Sequence, residues 1–340
     1  MVLALIAALI SFLSTPLIKR FAFHIKALDI PKDKRKIHKE PIPLLGGVAI
    51  YLSFIITTII MEGPLSKSQT GIIIGATIIV IGGLIDDLRD LKPWIKLLFQ
   101  VAAAGVLVLF GVEIIRITNP LPIGGNYLNL GILLVPLTIF WVVGITNALN
   151  LIDGVDGLAA GVSGICSVTI FTIALLNGRH EAALLTAILS GAIFGFLPFN
   201  FNPASIFMGD TGAQLLGFLL AAISLEGTIK SATAFAIAVP ILAFGLPIYD
   251  TLFAMIRRKV NGKPIMQADR GHLHHRLLDM GLNQRQVVLI MYLISAVLGG
   301  ISIIAMQVST TRSYFLLTAV ILVIGLIAWK YGFFKHKEDS

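Results

Sequence analysis

Asp86 and Asp87 are adjacent at the end of an apolar run, and Asp90 follows one helical turn later. Neighbouring carboxylates at such a boundary repel one another and lose hydration. They persist most readily where a divalent cation or a bound cationic group uses them. A second set, Asn147, Asn150, Asp153 and Asp156, recurs every third residue around Gly154 and Gly157. In a tight 3₁₀-like turn residues three apart eclipse, so all four could face one site, and the glycines let backbone come close to a ligand. In Phe207-Met-Gly-Asp210-Thr-Gly, Asp210 falls near a helix N-terminus, where amides favour anions. Taken alone, Asp210 reads as an N-cap and Phe207 as packing. Arg270, His272, His274, His275 and Arg276 concentrate donors for phosphate or sugar oxygens within seven residues. Zinc is the competing use of these histidines, but no cysteine lies nearby and hard oxygen donors dominate elsewhere, which favours Mg²⁺. The basic stretch Lys32–Lys39 carries His38 and Lys39 and runs into Pro41, Pro43, Gly46 and Gly47. Attraction to anionic lipid is its default reading; the prolines and glycines suggest a shaped loop that could also touch a substrate phosphate.

The elements that must carry these residues are apolar. Of 340 residues, 56% are hydrophobic and 13% charged, about half the charge of a soluble domain. Runs at 2–19, 45–61, 71–85, 94–111, 131–148, 158–177, 181–198, 212–225, 232–251, 286–306 and 313–331 predict an all-α polytopic membrane protein with about eleven transmembrane helices. Lys19 and Arg20 follow the first run, which is the reverse of a signal peptide and places the N-terminus outside and the C-terminus in the cytoplasm. With that alternation, 21 of the 26 Lys and Arg fall in inner connectors, as the positive-inside rule demands. All twelve aspartates then fall on the inner side. The expected organisation is one catalytic membrane domain over 1–332, with inner loops 20–44, 86–93, 147–157, 199–211 and 252–285 forming the active face and 333–340 a polar cytoplasmic tail. Short alternating segments around Gly124-Gly125 predict a small extracytoplasmic β-hairpin. Cys166, the only cysteine, reads as a small core hydrophobe. The net charge of +8 is spent flanking apolar runs, and no aromatic–basic interleaving suggests nucleic acid.

The motifs in order, Arg35-Lys-Ile-His38, Pro41-Ile-Pro43, Gly46-Gly47, Asp86-Asp87-x-x-Asp90, Asn150-Leu-Ile-Asp153-Gly-Val-Asp156-Gly, Phe207-Met-Gly-Asp210-Thr-Gly and Asp269-Arg-Gly-His272-Leu-His274-His275, resemble the polyprenyl-phosphate N-acetylhexosamine-1-phosphate transferases over nearly the whole chain. The resemblance implies a Mg²⁺-dependent enzyme of a bacterial plasma membrane, active on the cytoplasmic face, with Mn²⁺ as a substitute metal and a homodimer as the plausible assembly. It implies transfer of a sugar phosphate from a UDP-N-acetylhexosamine to undecaprenyl phosphate, releasing UMP and starting a teichoic acid or O-antigen type polymer. Ile42-Pro-Leu-Leu45 and His272-Leu-His274-His275 are more similar to the UDP-N-acetylglucosamine branch than to the phospho-N-acetylmuramoyl-pentapeptide branch, which has three consecutive histidines. By the same resemblance Asp86, Asp87, Asp153, His272, His274 and His275 are catalytic. His38, Lys39, Asn150, Asp156, Phe207 and Arg270 would bind substrate, Phe207 by stacking on uracil. Asp210, Asp87, Asn150 and Asp153 would hold the metal.

Two rivals come from other classes. An intramembrane prenyltransferase also uses Asp-rich motifs with Mg²⁺-diphosphate, but has no need of the His-Arg loop or of Phe207-Met-Gly-Asp210. A transporter more often carries charge at mid-membrane and shows repeat symmetry, and no internal repeat is obvious here.

Overall fold

The computed structural model describes residues 2–31, 40–62, 64–115, 117–118, 127–128, 131–226, 238–262, 264, 271–308 and 310–330. The chain runs α1 (Val2–His24), β1 (Leu28–Asp29), β2 (Ile42–Pro43), α2 (Gly46–Glu62), α3 (Lys67–Arg89), α4 (Pro93–Leu109), β3 (Ile117–Thr118), β4 (Tyr127–Leu128), α5 (Leu134–Leu151), α6 (Leu158–Leu176), α7 (His180–Asn200), α8 (Gly209–Ser224), α9 (Ala238–Ala243), α10 (Gly245–Val260), α11 (Leu273–Asp279), α12 (Gln284–Gln307) and α13 (Thr310–Lys330). Local chemistry sets several starts. Ser66 with Gln69 and Asn283 with Gln286 form reciprocal capping boxes at α3 and α12. Pro93 opens α4, where its missing N–H costs nothing. The sheets are two-residue antiparallel pairs, β1 with β2 and β3 with β4. The second joins the two halves of the expected hairpin, whose turn, 119–126, lies outside the described residues.

The fold is all-α in its spanning part, but eleven transmembrane helices is corrected. Seven helical stretches among the described residues are long and apolar enough to cross a membrane: Val2–His24, Lys67–Arg89, Gly131–Leu151, Leu158–Leu176, His180–Asn200, Gln284–Gln307 and Arg312–Lys330. The runs at 45–61 and 94–111 are helical but shorter, as Gly46–Ile60 and Pro93–Leu109. The run at 212–225 is the 16-residue α8, in which every residue from Thr211 to Ser224 is buried by protein. The run at 232–251 is broken between α9 and α10, and α10 ends in Arg257, Arg258 and Lys259. Hydropathy failed here because a helix that is apolar all round suits a protein interior as well as lipid. The inside–outside assignment of the termini, which depended on eleven alternating spans, falls with that count.

α8 is the axis of the molecule. It packs on α2, α3, α5, α6 and α7, while α1 covers α2 and α7, and α12 covers α6. Gly47 and Gly83 permit the closest approaches: a Cβ at Gly47 would collide with Gly212 backbone, and one at Gly83 with Thr211 Cα. The N-terminal end of α8 is thereby wedged between α2 and α3. Main-chain bonds lock it there, from Phe207 N to Pro43 O (2.8 Å), Gly46 N to Phe207 O (2.9 Å) and Gly47 N to Met208 O (2.9 Å).

Candidate active site

The site is built on the first turn of α8. Asp87, in the last turn of α3, accepts from Asp210 N at 2.7 Å, Thr211 N at 3.2 Å and the Thr211 hydroxyl at 2.5 Å. It supplies the side-chain cap that Met208, at the N-cap position, lacks. One residue earlier on α3, Asp86 is 2% exposed. Its Oδ1 accepts from Leu91 N at 2.8 Å and its Oδ2 lies 2.5 Å from Lys96 Nζ. Lys96, at the start of α4, also donates to Asp210 Oδ2 at 2.8 Å. Asn150, at the end of α5, donates to Asp210 Oδ1 at 2.7 Å. Four helices therefore meet at Asp210, α4 and α5 on its carboxylate and α3 on its main-chain N–H. Burial by itself would raise Asp210; its contacts with Asp86, Lys96 and Asn150 outweigh that and hold it below the ordinary carboxylate range.

One turn deeper a second polar layer repeats the arrangement. Asn147 donates to Gln100 Oε1 at 2.6 Å and Gln100 to Gln214 Oε1 at 3.1 Å. Each member lies three or four residues from one of the upper layer, Gln100 from Lys96, Asn147 from Asn150 and Gln214 from Asp210. Residues at that spacing share a helix face. The lower layer thus fixes the rotation of α4, α5 and α8 that lets the upper layer meet.

The loop between α5 and α6 brings the remaining carboxylates. Asp153 makes no side-chain hydrogen bond among the described residues. Burial, then the charges of Asp210, Asp87 and Asp156, push its carboxyl up to about 8. Asp156 turns the other way: its Oδ2 accepts from Asn202 Nδ2 and from Ala204 N, both at 3.0 Å, and Asn202 also donates to Gln284 of α12 at 2.6 Å. The set at 147, 150, 153 and 156 therefore does not share one face. α5 continues helically to Leu151, which leaves Asn147 inside the bundle and Asn150 with Asp153 towards Asp210, while Asp156 caps the 202–204 turn. Asp90, exposed and left-handed at the C-cap of α3, also lies apart from the cluster.

His274 approaches this loop from α11. It is 1% exposed, neither ring nitrogen has a hydrogen-bond partner among the described residues, and a Cβ at Gly154 would collide with its Nε2. Burial first, with the nearby His275 and His272, pushes it down to about 3, so the ring is neutral at ordinary pH. His272 stacks on it with centroids 5.8 Å apart and planes 10° apart, and His275 lies tilted at 4.3 Å. Phe207 is partly buried at the entrance to α8. His38, Lys39 and Arg270 lie outside the described residues. Sequence reasoning missed Lys96, which bridges Asp86 and Asp210. Its signal was a lone cation inside the apolar run at 94–111, where an ionisable residue marks function by default. It also missed Asn202, which has no signal beyond its loop.

The cluster fits a divalent cation by its chemistry. Asp86, Asp87, Asp153 and Asp210 converge, with Lys96 the cation in direct contact among the described residues, and Asp153, buried near three other carboxylates, has no side-chain hydrogen bond among those residues. Among the described residues no three His, Cys, Asp or Glu side chains stand as a ready-made cage.

Comparisons with known proteins place the chain among relatives by sequence. Residues 69–228, which hold all but the first two residues of α3, α4 to α8 and the carboxylate cluster, match the family described as Glycosyl transferase family 4. A probable undecaprenyl-phosphate N-acetylglucosaminyl 1-phosphate transferase of Bacillus subtilis (strain 168) is 39% identical over 99% of this chain and 93% of its own length. A decaprenyl-phosphate N-acetylglucosaminephosphotransferase of Mycobacterium tuberculosis is 34% identical over 85% of this chain and 78% of its own. A phospho-N-acetylmuramoyl-pentapeptide-transferase of Staphylococcus saprophyticus is 32% identical over 87% and 96%.

Proposed function

The chain belongs to glycosyl transferase family 4, and from that premise we propose that it transfers N-acetylglucosamine 1-phosphate from UDP-N-acetylglucosamine to undecaprenyl phosphate. The products are undecaprenyl-diphospho-N-acetylglucosamine and UMP. The observation that carries the reading is the junction of four helices on Asp210, through Asp87, Lys96 and Asn150, with Asp86 behind Lys96. The donor choice rests on the similarity to the Bacillus and mycobacterial relatives and on His272-Leu-His274-His275.

In the reaction a lipid-phosphate oxygen attacks the donor's β-phosphorus; that P–O bond forms as the bond to UMP breaks. Two polyanions must meet, so neutralising charge is the main barrier to lower. Mg²⁺, or Mn²⁺ in its place, would supply that neutralisation when held by Asp210, Asp153 and Asn150, with Asp87 contributing the lone pairs its α8 contacts leave. Lys96, fixed between Asp86 and Asp210, sets a permanent positive charge at the same point. The attacking phosphate, whose second pKa is about 6, is already mostly ionised at neutral pH. Asp86 therefore serves by holding Lys96 and positioning the lipid phosphate rather than by removing a proton. His274, neutral and without a ring hydrogen bond among the described residues, offers one to the sugar or diphosphate, with His272 and His275. Asp156 and Phe207 take the uracil, and His38, Lys39 and Arg270 the phosphates. The tail of the acceptor lies in the membrane. The site works at the cytoplasmic face of a bacterial plasma membrane, where nucleotide sugars are made, and a homodimer is the proposed assembly.

The test is a donor panel on purified protein with defined acceptor lipid. UMP release is expected from UDP-N-acetylglucosamine, dependent on both undecaprenyl phosphate and Mg²⁺. Release from UDP-N-acetylmuramoyl-pentapeptide instead, or release without acceptor lipid, overturns the reading.

A further inference from the structure

α10 carries three buried charged residues that the reaction above does not use, Asp250, Arg257 and Arg258; Asp250 and Arg257 are 7% and 3% exposed. They lie seven residues apart, two turns on one face of the helix. The segment carrying the histidines is seated on that face. Asp250 Oδ2 lies 2.8 Å from His272 Nδ1, and its Oδ1 accepts from Leu273 N at 2.8 Å. At Gly271 a Cβ would collide with the Arg257 guanidinium, so the chain runs in contact with it. Asp250 is held below its ordinary range: burial would raise it, but His272 and the Leu273 amide outweigh burial.

A carboxylate is acceptor-only, so the nitrogen of His272 that faces it must carry the hydrogen. In the neutral ring that fixes the tautomer: Nδ1–H donates to Asp250, and Nε2, which has no partner among the described residues, is left bare. The same bond fixes the plane of the ring. His274 lies 10° from parallel to His272 with centroids 5.8 Å apart, and His274 Nε2 faces Gly154 between Asp153 and Asp156. A continuous path therefore runs from Asp250 through two imidazoles to the carboxylate loop.

We infer that Asp250 is a positioning residue for the transfer reaction, acting through His272 by fixing its tautomer and ring plane. The inference rests on the functional reading above for its kinetic arm alone. With Nε2 bare, His272 meets the donor as an acceptor from a sugar hydroxyl, or takes a proton there and donates to a phosphate oxygen, with Asp250 stabilising the cation so formed. The opposite tautomer could not accept from a hydroxyl in this ring orientation, and would donate from Nε2 only as a neutral ring, without the cation that Asp250 stabilises.

Asp250→Asn separates positioning from architecture. Its Oδ1 can still accept from Leu273 N, while its amide presents a donor to His272 Nδ1 and forces the hydrogen onto Nε2. The tautomer is read from ring ¹⁵N shifts of histidine-labelled protein, with His272 assigned by its loss in His272→Ala. Wild type is expected as the Nδ1–H form and Asp250→Asn as the Nε2–H form, with unfolding temperatures matching. In turnover, Asp250→Asn should lower kcat on the order of 100-fold with KM changed less than about 3-fold. Asp250→Glu should recover part of that loss, and Asp250→Asn should cost nothing further in a His272→Ala background. An Nε2–H wild type, a tautomer unmoved by Asp250→Asn, or equal losses with and without His272 overturns the inference. Wild-type turnover of UDP-N-acetylglucosamine tests the functional reading separately, and the tautomer comparison decides Asp250 with no turnover required.

Discussion

α8 and α13 are both apolar helices, yet they face different solvents. α8 is the shorter, 16 residues, and from Thr211 to Ser224 each one is buried by neighbouring helices. α13 is 21 residues long, and only 11% of its apolar window is buried; Phe315 and Trp329 are 74% and 75% exposed. One is surrounded by close-packed protein, where a displaced methylene is felt. The other presents its side chains to whatever hydrocarbon surrounds the molecule. The chemistry grows from the first kind of helix. Its N-terminal turn is fixed by Asp87, by glycine-to-backbone contacts and by a second polar layer one turn deeper, so Asp210 cannot drift from Lys96 and Asn150. A helix held on one face only could not keep three side chains from other helices within hydrogen-bond reach.

That contrast can be broken at several points. The largest effect is expected from Asp210→Asn, which removes the charge shared by Lys96 and Asn150: transfer should fall more than about 1,000-fold, with the unfolding transition retained. Near-normal turnover in that variant at low Mg²⁺ would take Asp210 out of the metal's coordination. Lys96→Met should lower kcat by about 100-fold and Lys96→Arg by less, read from UMP release; equal rates for Met and wild type would make Lys96 a packing residue. Packing itself sharpens the comparison. Leu219→Ala in α8, at 0% exposure, should cost about 2–5 kcal/mol, against less than about 0.5 kcal/mol for Leu322→Ala in α13, at 60% exposure. Denaturant unfolding in one detergent measures both, and equal losses would abolish the distinction.

The smallest effect concerns Asp153. Its folded carboxyl titrates at about 8 and its unfolded one near 3.8. The folded state thus keeps a proton that the unfolded state releases between those values, and this contribution to stability is lost as pH rises from about 4 to about 8. In EDTA the wild-type unfolding temperature should therefore decline across that window more steeply than that of Asp153→Asn. Added Mg²⁺ at pH 8 should raise the wild type more than the variant. Parallel pH curves would mean that Asp153 is paired in solution.

Much of this was legible from residue types and order. The apolar runs located nearly all the helices, since backbone polar groups in an apolar setting must bond within their own segment. Asp86, Asp87, Asn150, Asp153 and Asp210 were marked by the cost of carrying polar groups beside such runs. Sequence could not tell which runs meet lipid and which meet protein, so eleven expected spans became seven candidates among the described residues, and α8, read as one span among many, became the centre. Nor could it find the cation: Lys96 looked like one more flanking charge until α4 brought it between two aspartates from other helices.

The sequence by itself determined the family's motifs, the helical class and the stock of carboxylates and histidines, because these follow from composition and short-range spacing. Only the tertiary structure decided that Asp87 caps α8, that Asp156 turns away from Asp153, and that Asp250 reaches His272 across 22 residues. Those pairings depend on helix rotation and on backbones close enough for glycine alone, and neither is encoded by any one stretch of chain.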